Sequence, residues 1–453
     1  MKEKVIAVFD IGKTNKKIIL FNYDLNPVSE YEEKFPEVRD DDGFECDDID
    51  KIEKWIFKSV RELIHSDKYD LTAVNFTTYG ATLVYLDKFG KRLTPVYNYL
   101  KPVDDKIPEK IYRSNGGQDE FCRRTASPAL GMLNSGIQVL WLKYTKPEVF
   151  AKVKSILHFP QYLAYLLTGK ICSEHTSLGC HTALWDFDTM SYHNWIEKEE
   201  LVFPEPIDVN TLTEIEFEGK KLKVGIGIHD SSSSLAPYFS LSTGKFLLIS
   251  TGTWCINMNP FNTEKLTTEQ LDHDCLCYMS ITKQPVKSSR LFLGHLHEVA
   301  LKKLSAHFRV ADDFYTTIQP DIKLIEICKS KCGDNRFFFE NYPFSRELKE
   351  KNDFFVFKSF EEGYHQLMVE LSELTIEALA LVIQAEDNTE NIYVTGGFSK
   401  NPVFLKLLAD GFPKKKLYKS EILNASAFGA ALVIMNSLDT SIKPFLNLGL
   451  SRI

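Results

Sequence analysis

The chain has 453 residues, 44% apolar and 26% charged, the composition of an ordinary folded protein and too long for one hydrophobic core, so two domains are expected. Its 54 basic and 62 acidic residues leave a formal charge of −8, which disfavours nucleic acid or an anionic membrane as main partner while leaving room for a local basic pocket. No apolar run reaches about 18 residues and the N-terminus lacks a leader's apolar stretch, so no membrane span and a cytoplasmic location are expected.

Residues 1–35 read as three strands in a meander. The apolar run Val5–Phe9 breaks at Asp10-Ile11-Gly12-Lys13-Thr14-Asn15 and resumes at Lys17–Phe21. A short turn of Gly and hydroxyl residues offers backbone N–H groups and small side chains that suit a phosphate. Asp10 closes the strand, where a lone buried carboxylate is costly but well placed to hold Mg²⁺ directly or through water. Lys13 and Lys16 could neutralise phosphate charge. The same residues also make an ordinary solvated hairpin.

Asp48–His65 reads as an amphipathic helix with Ile49, Ile52, Trp55, Ile56, Val60 and Leu63 on one side. A buried strand, Leu71–Phe76, leads into the turn Thr77-Thr78-Tyr79-Gly80. Residues 104–200 are mainly helical in pattern, and Gly169 suits the left-handed end of a helix over Pro160–Leu167. The nine cysteines are an odd number without a CxxC pair, which fits reduced structural thiols.

At Gly225–Ser234 a strand ends in His229-Asp230 and is followed by four serines. Asp230 is placed to take the proton of a substrate hydroxyl as it attacks a phosphoryl group, with His229 bonding the same substrate. An Asp before a Ser-rich helix start is also a common cap. Phe246–Ile249, Ser250-Thr251-Gly252-Thr253 and Trp254–Met258 then repeat the opening strand-turn-strand pattern. Two such turns in opposite halves suggest two similar domains gripping one polyphosphate from opposite sides. Only the first turn carries an acid, which puts the metal on the N-terminal side.

Helical patterns follow at Leu291–Phe308 and Phe360–Gln384. His295 and His297, two apart on the first, should face different ways, which disfavours a metal site. The buried strand Ile392–Val394 enters Gly396-Gly397, where glycine lets a flat ligand approach the backbone. A helix opens near Pro402, and the Ala- and Gly-rich helix Ala425–Met435 suits close packing near a cleft.

In order, these segments resemble the FGGY carbohydrate kinases over nearly the whole chain. Val8–Asn15 looks like the family's first phosphate motif, Ser250–Trp254 like the second, and Thr395–Pro402 like the adenosine motif. Ser426–Ala431 resembles the closing Gly-Ala-Ala helix, and Pro160–Leu163 with Leu167–Gly169 a helix of the N-terminal domain. Thr77–Gly80, His229-Asp230-Ser231 and Gly252-Thr253-Trp254 look most like the L-fuculokinase and L-rhamnulokinase branch. That branch usually has Asp where this chain has Thr82, and Phe398 takes the place of a third glycine.

The resemblance implies an α/β fold of two ribonuclease-H-like, actin-like domains, 1–240 and 241–453, with nucleotide and sugar in the cleft between them. It implies an ATP- and Mg²⁺-dependent kinase acting on a small ketose, a 6-deoxy-ketohexose such as L-fuculose or L-rhamnulose, at O1. Asp230 is then the general base and Asp10 the metal residue. Thr78, Tyr79, Gly80, His229 and Ser231 face the sugar. Lys13, Thr14, Asn15, Lys16, Gly252 and Thr253 meet the phosphates, and Gly396, Gly397 and Phe398 the adenosine. ATP and the ketose are the implied partners, and a homodimer is compatible with the class. The rivals are a pentulose kinase such as a xylulokinase, and a non-catalytic nucleotide sensor on the same fold.

Overall fold

The computed structural model describes residues 2–241, 244–332, 336–340, 349–350, 356–438 and 448–453; the side chain of Cys332 lies outside that description. β1 (Glu3–Ile11), β2 (Lys16–Asn22) and β3 (Pro27–Glu33) form the expected meander, and α1 (Ile49–Ile64) follows, capped by the Asp48 carboxylate on the Lys51 N–H. β4 (Tyr69–Thr78) lies parallel to β1. It runs two residues past Phe76, so Thr77 and Thr78 belong to the strand. α2 (Phe159–Thr168) ends at Gly169, which is left-handed at φ 64 as expected. β5 (Leu212–Phe217) and β6 (Lys220–Gly225) join the far edge of the sheet. β7 (Ile228–His229) resumes the line of β6 along β4. The first sheet is thus ordered β5-β6-β4-β1-β2-β3.

α3 (Asp230–Leu241) leads to β8 (Phe246–Thr251) and β9 (Cys255–Asn259), then β10 (Cys275–Met279) and β11 (Pro285–Leu291). α4 (Leu293–Phe308) and α5 (Phe360–Ala380) begin later and end earlier, respectively, than their apolar patterns suggest. β12 (Asn391–Gly396), α6 (Pro402–Gly411), β13 (Lys416–Lys419), α7 (Ala425–Leu438) and β14 (Ser451–Arg452) complete the chain. The second sheet is ordered β10-β11-β9-β8-β12-β13-β14. β8 pairs antiparallel with β9 and parallel with β12, as β1 does with β2 and β4. The repeated turn in the sequence is therefore a repeated sheet topology. Among the described residues no helix is long and apolar enough to cross a membrane.

Strand alternation sets the layers. Val5, Ala7 and Phe9 face α1 and α2, whereas Ile6 and Val8 face inward with α3 and α7. In β8, Leu247 and Ile249 face outward to α4, α5 and α6, and Phe246 and Leu248 turn toward the same α3–α7 pair. Two helices are thus sandwiched between two sheets. The same parity places Asp10 and Ser250 on the inner side, at the ends of their strands.

The α3–α7 contact is close because Gly429 has no side chain. A Cβ there would collide with the Ser233 carbonyl of α3. The crossing is stitched by Ser233 Oγ donating to Ser426 O at 2.6 Å, and Asn75 Nδ2 ties α7 to β4 by donating to Ala430 O at 2.8 Å. Gly429→Ala is expected to lower unfolding stability by about 1–3 kcal/mol, the cost of overpacking against backbone, read from the midpoint of a urea titration.

Residues 83–201 add a helical layer with its own apolar cluster, including Tyr85, Tyr97, Leu140 and Trp195. A short antiparallel pair, Leu83–Leu86 with Ser155–His158, anchors it beside the end of β4.

Candidate active site

Each turn closes on its own backbone bond: Gly12 N–H to Asn15 O and Gly252 N–H to Trp254 O, both 2.9 Å. Among the described residues no intrachain acceptor meets the N–H groups of Lys13, Thr14 or Thr253. Asn15 Oδ1 is buried without a donor. The three N–H groups are unfilled donors that phosphate oxygens would satisfy, whereas Asn15 Oδ1 is an acceptor that needs a donor. Asp10 pairs across the sheet with Lys17 and Thr77, and Ser250 with Ile256 and Thr395. The acid of the first turn therefore has a serine as its counterpart in the second.

Asp10 Oδ2 accepts from Ser426 Oγ at 2.7 Å. Burial pushes the Asp10 carboxyl up to about 6 against the pull of that hydrogen bond, and the charge of Asp230 adds to the push. A buried carboxylate raised in this way is chemically suited to a divalent cation, which would favour its ionised form.

The two lysines have other partners. Lys16 Nζ is buried, 2.7 Å from Asp47 Oδ1 and 2.9 Å from Lys13 O. Lys13 Nζ reaches Asp47 at 3.1 Å and Glu37 at 2.9 Å. The Tyr79 hydroxyl donates to the same Asp47 at 2.7 Å. Burial alone would raise the Asp47 carboxyl, but Lys16, Tyr79 and Lys13 together hold it below the usual carboxylate range. Asp47 thus braces the first turn from behind. The sequence carried no signal for it, since it sits in an acidic run that reads as solvated surface.

β7 and the start of α3 bring the second group together. The His229 ring lies 3.0 Å from Cys180 Sγ and 3.2 Å from Asp230 Oδ1 through Nε2, and 3.2 Å from Ser232 Oγ through Nδ1. Burial drives His229 down to about 3, so the ring is neutral. Its Nε2 is within hydrogen-bond distance of Cys180 Sγ and its Nδ1 of Ser232 Oγ, with the Asp230 carboxylate beside the ring. Asp230 Oδ1 accepts from Ser231 N at 2.6 Å and Ser231 Oγ at 3.2 Å.

Burial raises Asp230 to about 6, although 35% of its side chain is open to solvent, so protein surrounds a carboxylate that one face leaves reachable. Gly80 lies against this group: a Cβ there would strike Cys180 Sγ and crowd the His229 ring. Thr78 is buried, its hydroxyl donating to Tyr79 O at 2.8 Å, and Thr82 is buried nearby in sequence.

Beyond Gly252 opens a pocket of about 420 Å³ lined by His297, Tyr315, Gly397, Phe398 and Asn401 among others, a volume suited to a nucleoside. Gly396, just before the lining residue Gly397, sits at φ 85, and a Cβ there would collide with Thr251 O. Phe398 packs its ring on His297 and Phe404 at 5.1 Å each, and its N–H donates to Thr251 Oγ1 at 3.0 Å. His297 faces this wall while His295 stacks on Phe292.

Two models of one family match in the same order. The N-terminal domain of the FGGY family of carbohydrate kinases matches residues 5–198, and the FGGY C-terminal domain matches 243–323. The chain belongs to the FGGY family of carbohydrate kinases. A rhamnulokinase from Oceanobacillus iheyensis is 24% identical over 97% of this chain and 94% of its own length. Among solved structures, a carbohydrate kinase from Novosphingobium aromaticivorans superposes with a TM-score of 0.80 at 24% identity, covering 100% of this chain and 94% of that one. A xylulose kinase from Lactobacillus acidophilus gives 0.74 at 16% identity, covering 96% and 89%.

In this FGGY kinase, Cys180, Ser426 and Thr251 join the site without having been singled out for it. Thr251 could have been found as the counterpart of Ile11 in the repeat, since each closes its hairpin. Cys180 and Ser426 reach the site through folding alone.

Proposed function

We propose that this FGGY kinase transfers the γ-phosphoryl group of ATP to O1 of a small ketose, with 6-deoxy-ketohexoses such as L-rhamnulose or L-fuculose as the preferred class. The observation that carries the reading is Asp230, a reachable carboxylate held by Ser231 with the His229 ring 3.2 Å away, within electrostatic reach of Asp10. The sugar O1 attacks the γ-phosphorus, its proton passes to Asp230, and the bridging bond to the β-phosphate breaks with its electron pair leaving on ADP. Mg²⁺, if bound at Asp10, would supply positive charge against the negative charge of the phosphate oxygens.

Asp10 holds the metal, on the N-terminal side. The free N–H groups of Lys13, Thr14 and Thr253, with Asn15 and Gly252, seat the phosphates. Gly396, Gly397 and Phe398 wall the nucleoside. Lys13 and Lys16 act through the shape of their turn. Halves 1–240 and 241–453 form the two sides of the site, in a protein acting where cytoplasmic ATP is supplied. The rhamnulokinase relative supports the substrate class.

A pentulose is the second reading, favoured by one observation: the Tyr79 hydroxyl, which would distinguish the branches at the sugar, is bonded to Asp47. ADP release measured across L-rhamnulose, L-fuculose, L-xylulose, D-ribulose and D-xylulose decides. We expect kcat/KM for a 6-deoxy-ketohexose to exceed that for every pentulose by at least about tenfold, the worth of one methyl group in a fitted pocket. The reverse order assigns a pentulose kinase. Turnover on none returns the chain to a nucleotide sensor.

A further inference from the structure

We infer that Arg290 supplies the positive charge that meets the phosphoryl group in flight, donating from its Nε to a non-bridging oxygen in the transition state. The inference rests on the kinase reading above. Arg290 stands near the end of β11, paired across the sheet with Ile256 of β9, the strand that leaves the second turn. Its guanidinium carbon lies 5.6 Å from the centre of the Trp254 ring, the residue that closes that turn. One terminal nitrogen, Nη2, is 2.9 Å from Asp274 Oδ1, and the Asp274 side chain is 45% exposed. The Nε is buried and has no partner, a costly state for a cationic donor unless something else fills it.

The sugar side lies close by. Tyr278, on β10 next to β11, has its ring 5.5 Å from that of His229. Asp230 and Arg290 act with opposite sign on the Cys180 thiol and the Tyr278 hydroxyl. The guanidinium therefore lies against the residue that closes the second turn and within electrostatic reach of Tyr278, which packs on His229.

Charge balance points the same way. Phosphoryl transfer is catalysed mainly by neutralising charge at the moving group. Both lysines of the first turn are committed to Asp47, with Glu37 as a further partner of Lys13. Arg290 retains an unfilled Nε donor, and its guanidinium lies over the Trp254 ring of the second turn. As O1 bonds to phosphorus, the proton goes to Asp230 and ADP departs, the three equatorial oxygens keep their charge, and a planar fork suits them.

The test uses Arg290→Ala, Arg290→Lys and, as a control for bracing, Asp274→Asn, with thermal melts to check folding. Arg290→Ala should lower kcat by about 100-fold or more with each KM within about threefold, the pattern of an interaction made only in the transition state. Its affinity for ADP with aluminium fluoride, a mimic of the transferring group, should fall about as far while its affinity for ADP alone holds. Added guanidinium should restore part of the Arg290→Ala rate. Arg290→Lys, a point charge lacking the Nε donor, should recover only part of the loss, and Asp274→Asn should stay within severalfold of wild type.

A near-normal kcat in folded Arg290→Ala, a change confined to the sugar KM, or an equal loss in Asp274→Asn would overturn the inference. If no ketose is turned over, yet the wild type prefers the aluminium fluoride complex and Arg290→Ala does not, the sugar assignment fails and the role of Arg290 stands.

Discussion

Asp230→Ala is expected to lower sugar phosphorylation by about 10²–10⁴-fold, the worth of a positioned general base, while nucleotide affinity stays within about twofold. The carboxylate accepts on one oxygen from Ser231 N and Oγ, which leaves the other to the substrate hydroxyl. None of these partners is a phosphate residue in our reading, so binding of ADP, followed by calorimetry, should survive. Near wild-type turnover would remove Asp230 from the mechanism.

The pH profile adds a second check. Burial raises Asp230 and Asp10 to about 6 each, and the charge of Asp230 contributes to the Asp10 shift. They therefore titrate as an interacting pair in the free protein. The base works only when ionised, so kcat/KM for the sugar should rise through about pH 6. Bound metal would pull Asp10 lower and leave Asp230 to set that limb. The sign for stability is opposite. Both groups lie above their ordinary value of 3.8, so between about 4 and 6 the folded chain holds more protons than the unfolded one. These two acids make stability fall as pH rises through that window.

Asp10→Asn should separate function from stability. Activity is expected to drop by about 10²–10³-fold, because the metal loses its protein carboxylate, and excess Mg²⁺ should not restore it fully. In metal-free buffer at pH 7 the same variant should be more stable by about 1–2 kcal/mol, since a neutral amide can still accept from Ser426 and no buried charge remains. At pH 4, where Asp10 is already protonated, the gain should vanish. Denaturant titrations at the two pH values measure it. Equal stability at both would mean that Asp10 is not strained by burial.

The sheets were legible because their strands are long apolar runs and their hairpin turns have a narrow composition. Asp10–Asn15 and Ser250–Thr253 could be matched by eye, and the second strand-turn-strand fell into the register of the first. The α1 face and Gly169 were equally readable, since a helical period and a left-handed terminus are local properties. The end of β4 was misjudged as a turn at Thr77 and Thr78, because polar residues in a buried parallel strand lack an alternating signal. Asp47 was invisible for a different reason. Its three donors, from Lys13, Lys16 and Tyr79, come from separate segments, and long-range pairing leaves no period. Cys180 reaches the His229 ring in the same way.

The bond from Ser426 Oγ to Asp10 Oδ2 joins β1 to α7, and Asp10 is synthesised 416 residues before its donor. Until α7 has been synthesised and seated, the carboxylate lacks this donor, and α3 lacks its partner across Gly429. The growing chain would thus carry both glycine-hydroxyl turns and Asp230 before the surroundings of Asp10 are complete.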